Sequence, residues 1–425
     1  MRPPSRDLGS TAHDEAGSRR LRTFASLRLP SYRVYFIAML VYFGAMQMTV
    51  IARPWLAFEL SADEMGQRSA MVLGLTVALN SAPSLVLSPL AGALADRMPK
   101  RNLLAIAAAA MAAFALVIAA GVAGGAFAWW HVTMLGLAEG IVMTFITPTR
   151  RAIISDLVDQ RHLLNAVSLH TVMQNTNRTI MPAFAGLVIV VAGAEWAYVL
   201  IAVLYVTAIM ILLAVPRTDP VPSALRGGMS TAVGDGIRYA AREPTIRSLL
   251  LIGIVAAVFG QPIQHLLPLF QDVLSIGAGE LGLLYTFMGI GSLAGSTTAA
   301  SLGDYQRKGL LLIGFFTVLG LAIIAFSVST VFVVSLVLML PVGFGQSGRI
   351  AVHVATLQGQ ASPEMRGRVM ALNAMQDGFM PAAVLLITFA AHTVNPQVAM
   401  GSAGVVLLLY GLWEMIFSKT LRRLR

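Results

Sequence analysis

Apolar residues run along this chain in stretches too long for strands and too continuous for ordinary surface helices. Twelve runs, bounded by charged or turn residues, fall near 33–58, 70–95, 102–123, 127–149, 166–191, 194–215, 247–271, 281–303, 309–329, 331–355, 369–391 and 397–418. A helix needs about 20 apolar residues to cross a hydrocarbon core, whereas a barrel strand needs only about 10 alternating ones. The pattern therefore predicts an all-α membrane protein of twelve helices, numbered spans 1–12 in chain order. The longest interior loop, 216–246, splits them six and six. Within it Val233, Ile237 and Ala241 recur at helical spacing, with Asp235, Arg238 and Arg242 off that stripe, which predicts a helix lying at the membrane surface. The expected organisation is a tail at 1–32, a six-helix bundle at 33–215, the linker 216–246, a second bundle at 247–418 and a tail at 419–425.

Composition sharpens this picture. Of 425 residues 57% are hydrophobic and 12% charged, against about 25% charged in soluble domains. Disorder, a coiled coil and a soluble enzyme are excluded. A net charge of +10 would suggest nucleic acid in a soluble protein, but here the cations sit in the breaks between apolar runs. Twenty-six of the thirty Lys and Arg fall on the side that carries both termini. Arg68 lies on the opposite side, and Arg53, Arg178 and Arg349 lie inside spans. The excess of cations on cytoplasmic loops predicts cytoplasmic termini in an inner, or plasma, membrane. Residues 1–32 hold six arginines and no apolar stretch, so they are expected to be a cytoplasmic tail rather than a signal peptide. There is no cysteine. No Gly-Lys-Ser/Thr phosphate loop and no metal-spaced cluster is present, so neither an intrinsic ATPase nor a cofactor is expected.

The halves echo each other. At an offset of 208, Leu73-Gly74-Leu75 matches Leu281-Gly282-Leu283, Ser84-Leu85 matches Ser292-Leu293, and Asp96 matches Asp304. At 214, Gln47 matches Gln261, and Pro54 matches Pro268. Two like halves about a central cavity describe an alternating-access transporter.

Span 2 ends Gly92-Ala-Leu-Ala-Asp96-Arg97-Met-Pro99-Lys100-Arg101. This resembles the G-x-L-x-D-R-x-G-R-K signature of the major facilitator superfamily, with Pro99 in place of a glycine; the second copy, Ser301 to Lys308, is degraded. The resemblance implies a gating loop formed by Gly92, Asp96, Arg97, Lys100 and Arg101. The stretches Pro148–Asn165 and Ser362–Met370 resemble the macrolide-efflux and enterobactin-exporter branch. That implies proton-coupled export of small amphipathic molecules by a monomer, with protons and solute as its partners. The run from Arg178 through Pro182 to Gly186 partly resembles an antiporter signature, although Met181 stands where that signature has glycine. An uncoupled facilitator or importer, and a transport-inactive receptor or scaffold, stay open as alternatives.

Spans 1 and 7 line the cavity in that family, which makes Gln47, Gln261, Gln264 and His265 candidate substrate contacts; hydrogen bonding between helices is the competing use. Arg53 near the outer end of span 1 either snorkels or meets substrate. Arg349, with His353 one turn below it, is a candidate gate. Phe43, Trp55, Phe259 and Phe270 either stack on a lipophilic solute or pack. For proton coupling the candidates are Glu139, Arg178 and Asp377. Glu139 and Arg178 fall near the membrane midplane on consecutive spans and are expected to pair. Arg178 and Asp377 each precede a proline by four residues, where the helix ladder loosens.

Overall fold

The computed structural model describes residues 25–87, 98–216, 229–302, 305–362 and 364–418. All regular structure among them is helical. Ten helices are long and apolar enough to cross a membrane by themselves. Two more, Gln160–Ala192 and Ala278–Ser301, have the length but are more polar, and they pack on each other between the two halves. Together they make the twelve spans, in two six-helix bundles. Since successive spans alternate in direction, Pro30 and Phe417 lie on one side, the terminal face; the loops after spans 1 and 7 lie on the far face.

Local chemistry sets the boundaries. Pro30 opens span 1 (Pro30–Met65) at a position where a missing N–H costs nothing. Gly66 closes it in a left-handed conformation, φ 71°. Span 2 starts at Ala70 with the Ser69 hydroxyl accepting from Val72 N. Span 12 (Pro396–Phe417) starts with Asn395 Oδ1 accepting from Val398 N at 2.7 Å. Spans 3 (Lys100–Ala123), 4 (Trp129–Leu157), 6 (Ala194–Leu212), 9 (Lys308–Val328) and 10 (Phe332–Gln360) are single helices.

Two spans are broken. Span 7 runs Pro244–Phe259, turns at Gly260-Gln261-Pro262, and resumes in short helical turns to Leu274. At the break both Gly260 N and Gln261 N donate to the Ala256 carbonyl. Span 11 runs Arg366–Met375, passes through a single 3-10 turn at Gln376–Phe379, and restarts at Met380 with Pro381 in its first turn. By contrast Pro182 is accommodated inside the continuous helix of span 5.

Each bundle has its own apolar core. The first gathers spans 1–6 around Tyr42, Met48, Ile118 and Tyr198; the second gathers spans 7–12 around Phe270, Phe316, Leu319 and Phe326 and takes in Ile51, Phe58, Leu73 and Val77 from spans 1 and 2. Span 1 packs against spans 4, 5 and 6. The Tyr32 hydroxyl donates to the Ala166 carbonyl (2.7 Å) and the Tyr35 hydroxyl to the Arg150 carbonyl (3.0 Å).

The halves approach closely towards the far face, and spans 2 and 11 touch again deeper in, where a Cβ at Gly378 would stand 2.3 Å from Leu85 Cδ2. A Cβ added at Gly186 would stand 2.4 Å from the Ala278 carbonyl oxygen, and one at Gly74 would stand 2.0 Å from Thr388 Oγ1. Only glycine lets spans 5 and 8, and spans 2 and 11, come this near. In the linker, Met229–Arg242 is a helix, as the spacing predicts. It packs against the start of span 11 through Gly236 and leaves Ile237 and Ala241 exposed.

Candidate functional site

A cavity of about 310 Å³ lies between the halves, walled by spans 1, 4, 5, 7 and 8. Gln47 of span 1, Gln174 and Arg178 of span 5, Gln264 and His265 of span 7, and Tyr285 of span 8 line it, with Phe43 and Arg150. A larger apolar groove of about 400 Å³ lies on the flank of spans 8, 9 and 10, with no ionisable group but Tyr305. Its setting suits lipid contact, so the inter-half cavity is the candidate site.

Arg178 reaches across this cavity. Its guanidinium donates to Gln264 Oε1 on the opposite half. Gln264 Nε2 in turn lies 2.9 Å from His265 Nε2, an amide N–H donating to a ring nitrogen. The break at Gly260-Gln261-Pro262 turns this stretch of span 7 so that Gln264 and His265 face the cavity. Phe43 carries the Arg150 guanidinium over its ring, 4.3 Å from the centroid, a cation–π contact.

Glu139 does not pair with Arg178. It pairs with Arg53 of span 1, and both residues are buried, Glu139 at 5% and Arg53 at 7% exposure. The expected partner is wrong because spans 4 and 5, though consecutive, touch little; span 1 packs against both of them. Gly136 makes room for the pair, since a Cβ there would lie 3.2 Å from Arg53 Cδ. Arg53 therefore neither snorkels nor lines the cavity. Val50, one turn away, does line it.

Other candidates lie away from the cavity. Gln261 lies in the break of span 7 and is not among the residues lining the cavity. Arg349 is buried within span 10, off the cavity wall, and His353 one turn on donates from Nε2 to Asn373 Oδ1 of span 11 at 2.8 Å. Phe270 is core, its ring tilted against that of Phe326, while Trp55 and Phe259 pack at the edge of the second core. Gly92, Asp96 and Arg97 lie outside the described residues. From the same loop, Lys100 pairs with Asp156 at 2.6 Å, and Arg101 donates to the carbonyls of Leu213 and Val215, both at 3.1 Å. All these contacts stay within the first half. The backbone of Asp377 lies in the 3-10 turn of span 11, and its side chain lies outside the description.

Sequence reasoning missed a cluster at the far face. Arg68, between spans 1 and 2, bonds Glu59 through two nitrogens (2.8–3.2 Å) and pairs with Asp272 of the second half. Gln271 Nε2 donates to Glu59 Oε1 at 3.1 Å. Partial burial works against the guanidinium's charge, but the bonds to Glu59 and Asp272 outweigh it and raise the Arg68 pKa. The isolation of Arg68 as the lone cation on its side was the available signal. Partly exposed pairs are worth about 0.2–1 kcal/mol each. Arg68→Gln is therefore expected to leave the melting temperature almost unchanged. It should instead raise labelling of a Gln174→Cys reporter by an impermeant maleimide added at the far face. Unchanged labelling would rule the clasp out as a closure element.

A family model for transmembrane secretion effectors matches residues 21–422. Enterobactin exporter EntS of Shigella boydii is 23% identical over 402 residues, spanning 93% of this chain and 94% of the relative. The same exporter in Shigella flexneri is 24% identical over 402 residues, with 93% of both chains covered. Among solved structures, the nucleoside transporter NupG superposes with a TM-score of 0.70 at 12% identity over 91% of this chain and all of that one. A D-xylose-proton symporter superposes with a TM-score of 0.67 at 15% identity, covering 92% and 99%.

Proposed function

The chain belongs to the transmembrane secretion effector family of major facilitator transporters, and from that premise we propose that it exports small amphipathic molecules in exchange for protons. It is a multi-pass membrane transporter, not an enzyme. In the proposed orientation both termini are cytoplasmic, so the terminal face opens to the cytoplasm and the far face looks outward. The close approach of the halves near the far face supports reading this as the state that loads from the cytoplasm. Export also agrees with the enterobactin exporters to which the chain is similar.

The observation that carries the coupling is the buried Arg53–Glu139 pair one turn from the cavity wall. A membrane-embedded ion pair is expensive to keep and marks a pathway for charge more often than a scaffold. Protonation of Glu139 would release Arg53, and re-pairing would expel the proton. The two charge states favour different packings of spans 1 and 4, which is the element that alternating access needs. Asp377 is kept as a second proton site on the other half. The loop from Gly92 to Arg101 is proposed to lock the cytoplasmic side when the cavity faces outward.

The test is accumulation of lipophilic antibiotics and dyes in cells with and without the protein. Lower accumulation that rises when a protonophore collapses the gradient is the expected result. Equal accumulation would refute export, and lowered accumulation indifferent to the protonophore would refute coupling. Joint replacement Arg53→Gln with Glu139→Gln should abolish uphill export while the protein still inserts.

A further inference from the structure

Two arginines of the first half, Arg53 and Arg178, lie near the middle depth of their spans, and their surroundings differ. Arg53 has its own carboxylate in Glu139. Arg178, near the middle of span 5, makes no ion pair with any described carboxylate, and its hydrogen bond goes to the neutral amide of Gln264. A cation at that depth is costly without a counter-charge. The cavity wall supplies none: among the described residues lining it there is no Asp or Glu, while a second arginine, Arg150, is present. A further group points the same way. The Tyr285 hydroxyl lines the cavity, its residue is 3% exposed, and it has no hydrogen-bond partner among the described residues. A buried hydroxyl left this way is destabilising until a ligand completes it.

We infer that the cavity selects organic anions, in which a carboxylate, sulfonate or phenolate displaces Gln264 from Arg178 and the Tyr285 hydroxyl donates to a further acceptor. The missing counter-charge is brought by the solute. A guanidinium binds such groups through a planar fork that an amide cannot match. Loading also breaks the Arg178–Gln264 bond between the halves, so occupancy is felt by both. Among the described residues, cationic amphiphiles meet two arginines and no acid, and are disfavoured by charge. This inference rests on the reading of the cavity as the transport site.

Two xanthene dyes of similar frame and opposite charge, fluorescein and rhodamine 123, provide the probe. Binding to the purified full-length protein in nanodiscs is followed by fluorescence polarisation. Fluorescein is expected to bind at least about tenfold more tightly than rhodamine 123. Arg178→Gln should weaken fluorescein by about tenfold and leave rhodamine 123 within about threefold, while Arg178→Lys keeps part of the preference. Tyr285→Phe, which removes one oxygen, should weaken fluorescein at unchanged fold. Equal binding of the dyes by the wild type, preference for rhodamine 123, or fluorescein binding indifferent to Arg178→Gln would each overturn the inference. Wild-type preference decides even if a variant fails to fold. Dye flux in proteoliposomes separates the two readings. Arg178-dependent fluorescein binding without flux upholds anion selection and removes export. Rhodamine 123 flux without fluorescein binding removes anion selection and upholds export.

Discussion

Glu139→Gln alone is expected to destabilise the protein more than Glu139→Gln combined with Arg53→Met. The single change strands the Arg53 guanidinium in a site 7% exposed, where its remaining neighbours include the bare face of Gly136. Breaking one side of a buried pair costs about 3–5 kcal/mol, whereas replacing both partners by groups of similar volume is often neutral. The Arg53 Nε already lacks a hydrogen-bond partner among the described residues, and no described carboxylate but Glu139 pairs with this guanidinium. Melting of the detergent-purified protein, followed by fluorescence size exclusion, is the measurement. Equal losses in the single and double variants would mean that the pair contributes nothing as a unit. The same variants separate stability from coupling, because the double variant should regain its fold and still fail to export uphill.

The second large effect is expected at Gly186. Its Cα faces the backbone of span 8 so closely that a valine would overlap the Ala278 carbonyl. Overpacking costs about 1–3 kcal/mol, and here the strain falls on one conformation, the one closed at the far face. Gly186→Val should therefore move the equilibrium toward the outward-open form by about 5- to 150-fold. Transport should fall while insertion stays normal. The chain has no cysteine, so a Gln174→Cys reporter gives a clean reading: impermeant maleimide should label it faster from the far face. Wild-type transport in Gly186→Val would show that spans 5 and 8 need not approach this closely at any stage of the cycle.

Much of the architecture was legible because hydropathy and charge act along the chain in one dimension. Apolar runs marked the helices, and the cation count separated the two faces. Azimuth was not legible. Arg53 lies 12 residues from the far end of its helix, Glu139 lies 10 and Arg178 lies 14. At about 1.5 Å per residue all three sit within little more than one helical turn in depth. Depth therefore could not choose between the two arginines. The choice was made by which face each helix turns to its neighbours, and the clue was small: Gly136, one turn from Glu139, leaves room for a long side chain from span 1. Gln261 was misread for a related reason. An unbroken span 7 would carry it onto the cavity wall with its repeat partner Gln47, but the break at Gly260-Gln261-Pro262 hands that position to Gln264 and His265.

The relative polarity of spans 5 and 8 has a consequence for how this protein is made. A translocon judges each segment largely on its own apolarity, and these two are the weakest passengers of the twelve. Span 5 leaves the ribosome well before span 8 exists to cover it. In the interval its polar flank can be sheltered only by what is already in the bilayer, chiefly span 1, whose Tyr32 hydroxyl is seated on the Ala166 carbonyl. Span 6 follows after the single residue Gly193 and anchors the pair from behind. The polarity that lets these helices border a wet passage thus leaves the half-synthesised chain with a polar flank in lipid until its second half arrives.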